Sequence, residues 1–511
     1  MNKYEITMLC AIGLYMAFTL FVGFKNSKMN KNVGDFYLGG RRLGPIVTAM
    51  SAEASDMSGW LLMGLPGVAY LSGVADAGWT AIGLAVGTYI NWLLVAKKLR
   101  NYSSKVNAIT VPDFFSNRYR DKSRLLLGIS AVIIVVFFIP YTASGFAACG
   151  KLFSSLFNID YHVAMIISAI VIIAYTSIGG FLAASKTDLI QSVVMSIALI
   201  IVLFYGIGSA GGFGAVMDNA NKFPGYLSMT STYDAASGAE KSYGFLTICS
   251  TLAWGLGYFG MPHILLRFMA IEDSKKLRLS RRIASIWVVI SLAVATFIGV
   301  IGLGMTEANK IGDLSNGYSE NVIIEIAKAL SRHGIPFAAI GGIILAGIFA
   351  STMSTADSQL LAASSSVSEN ILSKVFGFKI SDKIQMIIAR LTLVIIALIG
   401  VFLAWDPESS VFKIVSFAWA GFGATFGPVM LLALFWKRSN KWGAIAGMVT
   451  GGTMVFIWKF LISKLGGVWA IYELLPAFII ACVVNVAVSL LTPAPDQEIV
   501  SEFEEISAMK D

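Results

Sequence analysis

A carboxylate stands where a membrane helix is expected. Asp56 lies in the run Ala52-Glu53-Ala54-Ser55-Asp56-Met57-Ser58-Gly59-Trp60-Leu61-Leu62-Met63-Gly64. At hydrocarbon depth an ionised side chain is costly unless a cavity, a partner or a bound cation receives it. Glycines and small residues on both sides give a segment able to unwind and expose carbonyl oxygens. Sodium is a hard cation that favours oxygen ligands, and the carbonyls of Ala54 and Met57 would suit it. Glu53 supplies a second carboxylate able to face the same aqueous cavity. The plainer use of these residues is bonding of Ser55, Asp56 and Ser58 to nearby backbone, with glycines allowing close helix packing.

Two further segments carry chemistry-bearing residues. In Phe349-Ala350-Ser351-Thr352-Met353-Ser354-Thr355-Ala356-Asp357-Ser358-Gln359, a carbonyl at Ser351 and hydroxyls at Ser354 and Thr355 could converge on one ion. Hydroxyl-to-carbonyl bonding within the helix would account for them equally well. Asp357 could cap or pair near the cytoplasmic edge. In Ser250-Thr251-Leu252-Ala253-Trp254-Gly255-Leu256-Gly257-Tyr258-Phe259-Gly260, glycines weaken a helix where two large rings stand. Trp254 and Tyr258, four apart, are expected on one helical face, where they could cover an apolar ring or a cation. Glycine-mediated packing with an interfacial aromatic belt is the alternative. Pro262 and His263 mark the way out of that helix, with His263 expected to hydrogen-bond locally. Tyr141, after Pro140, adds a mid-span hydroxyl and ring. Asp188 follows Gly179-Gly180-Phe181-Leu182-Ala183-Ala184-Ser185-Lys186-Thr187, and a helix N-cap by Thr187 or Asp188 is the simplest account. An ion-exit role for Asp188 is secondary.

The elements that must position these residues are membrane helices. Of 511 residues, 56% are hydrophobic and 13% charged, with mean hydropathy +0.75, more apolar than a water-soluble chain of this size requires. The pattern predicts an all-α polytopic membrane protein with thirteen spans, near 6–26, 47–71, 77–96, 126–150, 162–180, 188–208, 243–265, 284–305, 335–360, 386–404, 413–435, 443–463 and 471–491. The first reads as a retained span, since it lacks a basic leader and a small-residue cleavage site.

Loop charge gives an orientation. Basic residues follow the first span (Lys28, Lys31, Arg41, Arg42), the third (Lys97 to Arg124), the seventh (Arg267, Lys275, Lys276, Arg278, Arg281, Arg282) and the eleventh (Lys437, Arg438, Lys441). These alternate with sparsely basic loops, which places the N-terminus outside and the C-terminus in the cytoplasm. The polar stretches 209–242 and 306–334 fall outside, as lids or as plain irregular connections. The tail Glu498 to Asp511 reads as a solvated amphipathic or disordered end.

Several function classes lose support. A net charge of +8 sits in short loops that set orientation, so no nucleic-acid partner is indicated. Cys10, Cys149, Cys249 and Cys482 lie in apolar segments, where they read as packing residues rather than a metal cluster or disulfide framework. The pattern holds no nucleophile–base arrangement for an enzyme and no charged ring or carbonyl filter for a channel. A carboxylate in a span able to unwind fits a cation-coupled carrier, in which broken helices form midplane sites.

At these residues the chain resembles the sodium/solute symporter family, most closely its sodium/proline branch. The likeness covers nearly the full chain. It rests on the ordered set of the Ala54–Trp60 run, Gly179-Gly180 through Asp188, Trp254 through His263, and Met353-Ser354-Thr355. The resemblance implies a LeuT-type inverted repeat, with spans two to six matched to spans seven to eleven. It divides the chain into an extra span and cytoplasmic loop (1–46), the transport core with the first extra C-terminal span (47–463), and the last span with its cytoplasmic tail (464–511).

It also implies sodium ligands at Ala54, Met57, Ser351, Ser354 and Thr355. Asp56 would matter for sodium coupling without having to touch the ion, and Asp188 would lie on the ion pathway. The substrate region would include Ser58, Gly59, Trp60, Tyr141, Trp254 and Tyr258. The implied activity is sodium-coupled symport of L-proline into the cell by alternating access, in the cytoplasmic membrane. Sodium would be the coupling ion, with no cofactor, no catalytic residue, membrane lipid around the chain and no obligate protein partner. Carriage of another small zwitterion with sodium or protons, or a non-transporting receptor, are the alternatives. Lys186 departs from the family pattern, where an aromatic residue commonly precedes Thr-Asp.

Overall fold

In this computed structural model the described residues are 2–27, 33–315, 317–378 and 381–509. Lys28 and Lys31 of the first basic loop, and Lys510 and Asp511 of the tail, lie outside them. The chain opens with α1 (Lys3–Ser27), α2 (Val33–Leu38), α3 (Pro45–Asp56), α4 (Leu65–Ser72), α5 (Val74–Ile90), α6 (Ala96–Lys105) and α7 (Val111–Arg118). Two long helices follow, α8 (Leu125–Phe157) and α9 (Tyr161–Ser209), then α10 (Phe213–Ala220), α11 (Phe245–Leu252), α12 (Pro262–Ala270) and α13 (Leu277–Glu307). The chain continues through α14 (Val322–Ser331), α15 (Ile335–Ser365), α16 (Asp382–Leu403), α17 (Val411–Phe435), α18 (Lys441–Ile457), α19 (Leu474–Leu491) and α20 (Gln497–Ala508).

Among the described residues, ten helices are long and apolar enough to cross a membrane. Three shorter apolar helices, Trp60–Ser72, Tyr161–Ser177 and Phe245–Phe259, fall in the second, fifth and seventh expected spans. Polarity is arranged for a lipid surround. Leu14, Phe18 and Phe21 of α1, Ile167 and Ile170 of α9, and Leu398 and Phe402 of α16 are exposed. Asp56, Ser354 and Asp357 are fully buried. In hydrocarbon the polar groups must find partners inside the bundle, so they gather where helices meet.

Both segments suspected of unwinding do so. α3 starts at Pro45, whose fixed φ suits a first turn, and ends at Asp56. The chain then turns through Met57–Gly59 and resumes as a wide π-type turn, Trp60–Gly64, that leads into α4. α11 tightens into a 3-10 segment, Ala253–Phe259, before Met261 extends and Pro262 starts α12. Glycines let this segment lie backbone to backbone on α5: a methyl group added at Gly255 would stand 2.2 Å from Gly83 O.

Several expectations change. Asp188 does not cap a helix. The bend after the fifth span falls at Gly180 (φ 67°), a left-handed conformation that glycine tolerates, and Asp188 lies inside the restarted helix. The stretch 209–242 is not irregular, holding α10 and a two-stranded antiparallel hairpin, β1 (Ser231–Asp234) with β2 (Ala239–Ser242). The hairpin is a small exception to the all-α expectation. The stretch 306–334 likewise contains α14. The tail forms α20, which turns Ile499, Phe503 and Ile506 inward.

Gly255→Val should destabilise the bundle by about 1–3 kcal/mol or more, because the backbone of Gly83 cannot rotate away as a side chain would. The thermal midpoint of the detergent-solubilised protein checks this; an unchanged midpoint would contradict the backbone contact.

Candidate functional site

The centre of the site is a carbonyl that the broken helix no longer uses. Beyond Asp56 the ladder turns back on itself: Met57 N donates to Glu53 O (2.8 Å) and Ser58 N to Asp56 O (2.8 Å). Ala54 O therefore loses the Ser58 donor that a continuing helix would supply. α15 crosses at this point. Ser354 Oγ lies 2.7 Å from Ala54 O and 3.1 Å from Ser351 O, and Thr355 Oγ1 lies 3.4 Å from Ala54 O. Four of the five residues expected to share an ion thus meet in one cluster. Met57, the fifth, stands in the break with its side chain buried. Bonding within α15 does occur at Ser351 and Thr352, whose hydroxyls donate to Ile348 O (2.7 and 3.2 Å). Ser354, besides its contact with Ser351 O inside α15, and Thr355 reach across to α3.

The expected substrate residues line the same break. Asp56 Oδ2 accepts from Tyr258 OH (2.7 Å), while Asp56 Oδ1 has no hydrogen-bond partner among the described residues. Asp56 O accepts from Trp60 Nε1 (3.0 Å) and Tyr141 OH (3.3 Å). Ser58 Oγ accepts from Trp60 N (3.4 Å), and a methyl group added at Gly59 would lie 2.8 Å from Ala148 Cβ. Trp254 faces Trp60 with ring centroids 6.2 Å apart. Trp254 and Tyr258 do not stand on an α-helical face, since the segment is 3-10, yet both rings meet Trp419 (6.2 and 5.1 Å). A 3-10 turn advances about 120° per residue, so positions four apart diverge. Trp254 joins the ring cluster and Tyr258 reaches Asp56. Glu53 Oε1 accepts from Trp92 Nε1 (2.8 Å).

Asp188 belongs to a second cluster on the N-terminal side of the break. Its Oδ2 accepts from Ser51 Oγ (2.6 Å) and pairs with Arg267 Nη2 (3.2 Å). Arg267 also donates to Ser51 Oγ, Ser358 Oγ and His263 O. Ser358 Oγ lies 2.9 Å from Ser354 O, which links this cluster to the first. Asp357, buried beside Ser358, interacts electrostatically with both Asp188 and Arg267. A polar seam thus runs along the α3–α15 contact inside an apolar bundle.

Sequence reasoning missed Arg267. It was grouped with the basic loop, yet it is only 1% exposed. The signal was its setting in Ile264-Leu265-Leu266-Arg267-Phe268-Met269, an apolar run that the loop lysines lack. Trp419 was also missed: its Nε1 donates to Trp254 O (2.7 Å) and its ring meets Tyr258 edge-on. The small residues around it, Ala418, Ala420 and Gly421, marked a close contact. His263 corrects the other way, with neither ring nitrogen hydrogen-bonded among the described residues and its ring against Phe138. Lys186, the departure from the family pattern, is half-buried.

Removing one partner of a buried ion pair strands the other. Arg267→Ala should cost about 3–5 kcal/mol of stability, and the paired change Asp188→Asn with Arg267→Met should recover most of it. Thermal unfolding in detergent reads both; an Arg267→Ala protein as stable as the parent would contradict the pairing.

The family model described as the sodium:solute symporter family matches residues 36–451. The osmoregulated proline transporter OpuE of Bacillus subtilis is 40% identical over 492 residues, 96% of each chain. The sodium/proline symporter of Haemophilus influenzae is 42% identical over 496 residues, again 96% of each. Among solved structures, a Na+-coupled sialic acid symporter in a substrate-bound outward-open state superimposes with TM-score 0.77 at 18% identity, covering 96% of this chain and 99% of its own. Mhp1, a nucleobase-cation-symport-1 family transporter in a closed conformation, gives 0.55 at 13% identity, covering 92% and 98%. At those identities the likeness speaks for the fold alone. The match over most of the chain, together with relatives near 40% identity along almost its whole length, settles the family: this chain belongs to the sodium:solute symporter family.

Proposed function

We propose that the chain carries L-proline into the cell together with sodium, by alternating access. One observation carries the reading: the Ala54 carbonyl, left without its helical donor, lies within 3.4 Å of two hydroxyls from another helix. A serine or threonine hydroxyl both donates and accepts, so it can turn its proton aside and offer lone pairs to a cation. Sodium would bind among Ala54 O, Met57 O, Ser351 O, Ser354 Oγ and Thr355 Oγ1. Asp56 and Asp188 would couple to it through charge. The relatives named for proline support the choice of substrate. Proline's carboxylate would face exposed backbone donors at Ser58 and Gly59, and its ring would rest among Trp60, Tyr141, Trp254 and Tyr258.

The reading includes a topology. Thirteen crossings, with the N-terminus outside and the C-terminus in the cytoplasm, fit the ten long and three shorter apolar helices and the distribution of loop charge. The two broken segments are corresponding members of a LeuT-type inverted repeat. The flanking regions 1–46 and 464–511 stand outside the 47–463 unit, which holds the repeat and one extra span. External sodium orders the break, proline binds, the outer side closes, and both leave inward. One sodium with one net-neutral proline moves one charge, for which an inside-negative potential supplies about 2.3 kcal/mol per 100 mV.

Coupling between two ligands is reciprocal. Sodium should therefore raise proline affinity by the same factor as proline raises sodium affinity, measured by equilibrium binding to the purified protein. Proline binding indifferent to sodium would overturn the reading. Ser354→Ala and Thr355→Ala should each raise the sodium concentration for half-maximal uptake by roughly tenfold, the effect of losing about 1.4 kcal/mol of ligation. Unchanged sodium dependence in both would remove the ion site from this position.

A further inference from the structure

Trp254 is enclosed by rings from several directions. Trp60 lies 6.2 Å away, Phe412 5.3 Å and Trp419 6.2 Å, all within the region matched by the family model. A fourth ring comes from elsewhere. Tyr472 stacks on Trp254 at 5.2 Å with only 23° between the planes, and it lies beyond residue 451, where the family match ends. It sits in the connection between α18 and α19.

This connection is fastened on both sides of the site. Tyr472 N donates to Ser250 Oγ on α11 (2.6 Å), and Tyr472 OH donates to Ser416 O on α17 (2.7 Å). Its own base is also anchored. Glu473, 3% exposed, pairs with Lys459 at 3.1 Å, and Trp458 Nε1 donates to Trp469 O (3.2 Å). The strap therefore bonds to half of a broken helix and to α17, the helix that carries Phe412 and Trp419.

We propose that Tyr472 is a positioning residue for substrate recognition: it fixes the plane of the Trp254 ring and so sets affinity for the carried amino acid. The inference rests on the sodium/proline reading and on Trp254 as part of the substrate region. An indole packed on that face cannot swing away when the site is empty, so less ordering remains to be done when substrate arrives. The ring does this work, while the hydroxyl only orients the ring.

The test is L-proline uptake by the full chain in proteoliposomes under an inward sodium gradient, read as separate KM and kcat. Tyr472→Ala should raise KM roughly 2- to 10-fold, the range expected for one aromatic pair, with kcat and half-activation by sodium little changed. Tyr472→Leu, which keeps apolar volume and guards against a folding failure, should do the same. Tyr472→Phe, which keeps the ring, should restore KM to near the parent value. In a Trp254→Ala background, Tyr472→Ala should add nothing, with equilibrium proline binding as the readout where uptake is slow. An unchanged KM in the Ala and Leu variants, or an equal effect with Trp254 absent, would overturn the inference. A parent protein that takes up no proline with sodium would defeat the underlying reading, and this inference with it, before any variant is compared.

Discussion

A main-chain carbonyl cannot be left without a partner inside a bilayer, and the organisation around the two broken helices follows from that constraint. Four carbonyls at the breaks receive side-chain donors. Ala54 O meets Ser354 and Thr355, Asp56 O meets Trp60 and Tyr141, Trp254 O meets Trp419, and Tyr258 O meets Asn91. The side-chain donors at Ala54 O are hydroxyls alone, whereas Asp56 O has an indole beside the Tyr141 hydroxyl and the other two carbonyls have an indole or an amide. Indole and amide groups hold a fixed donor geometry, whereas hydroxyls can reverse their role. The carbonyl capped only by hydroxyls is the one best suited to exchange its protein partners for a cation.

The charged cluster obeys the same constraint at higher stakes. Asp188, Arg267 and Asp357 bring two carboxylates and one guanidinium into a region where none is measurably exposed beyond 1%. Burial of such a pair rarely adds stability over apolar packing, though removing one partner strands the other. Through Ser358 and Ser354 the charged cluster is one hydrogen-bonded step from the Ala54 cluster, which allows the charge balance of one to affect the other.

The polytopic helical character, with ten long apolar helices among the described residues, was legible because hydropathy needs only local sequence. Asp56 stood out because lipid makes any carboxylate conspicuous, and the glycines around Trp254 announced the second break. What sequence concealed was mostly a matter of direction. Arg267 carries the same charge as the loop lysines, and only the apolar residues around it distinguish a helix buried beyond Pro262 from an exposed turn. Asp188 looked like a cap because the bend that starts its helix lies several residues earlier, at Gly180. Trp254 and Tyr258 were read with an α-helical period, while the chain there winds more tightly. Tyr472 carried no local signal, since its importance lies in a stack with a residue more than two hundred positions away.

The account turns on sodium driving proline uphill. The most direct measurement is radiolabelled L-proline uptake into proteoliposomes containing the purified chain, with an inward sodium gradient and a potassium-only control at constant pH and membrane potential. The account predicts accumulation above the external concentration that collapses when the sodium gradient is dissipated. Equal accumulation without sodium, or none by correctly folded and inserted protein, would contradict it.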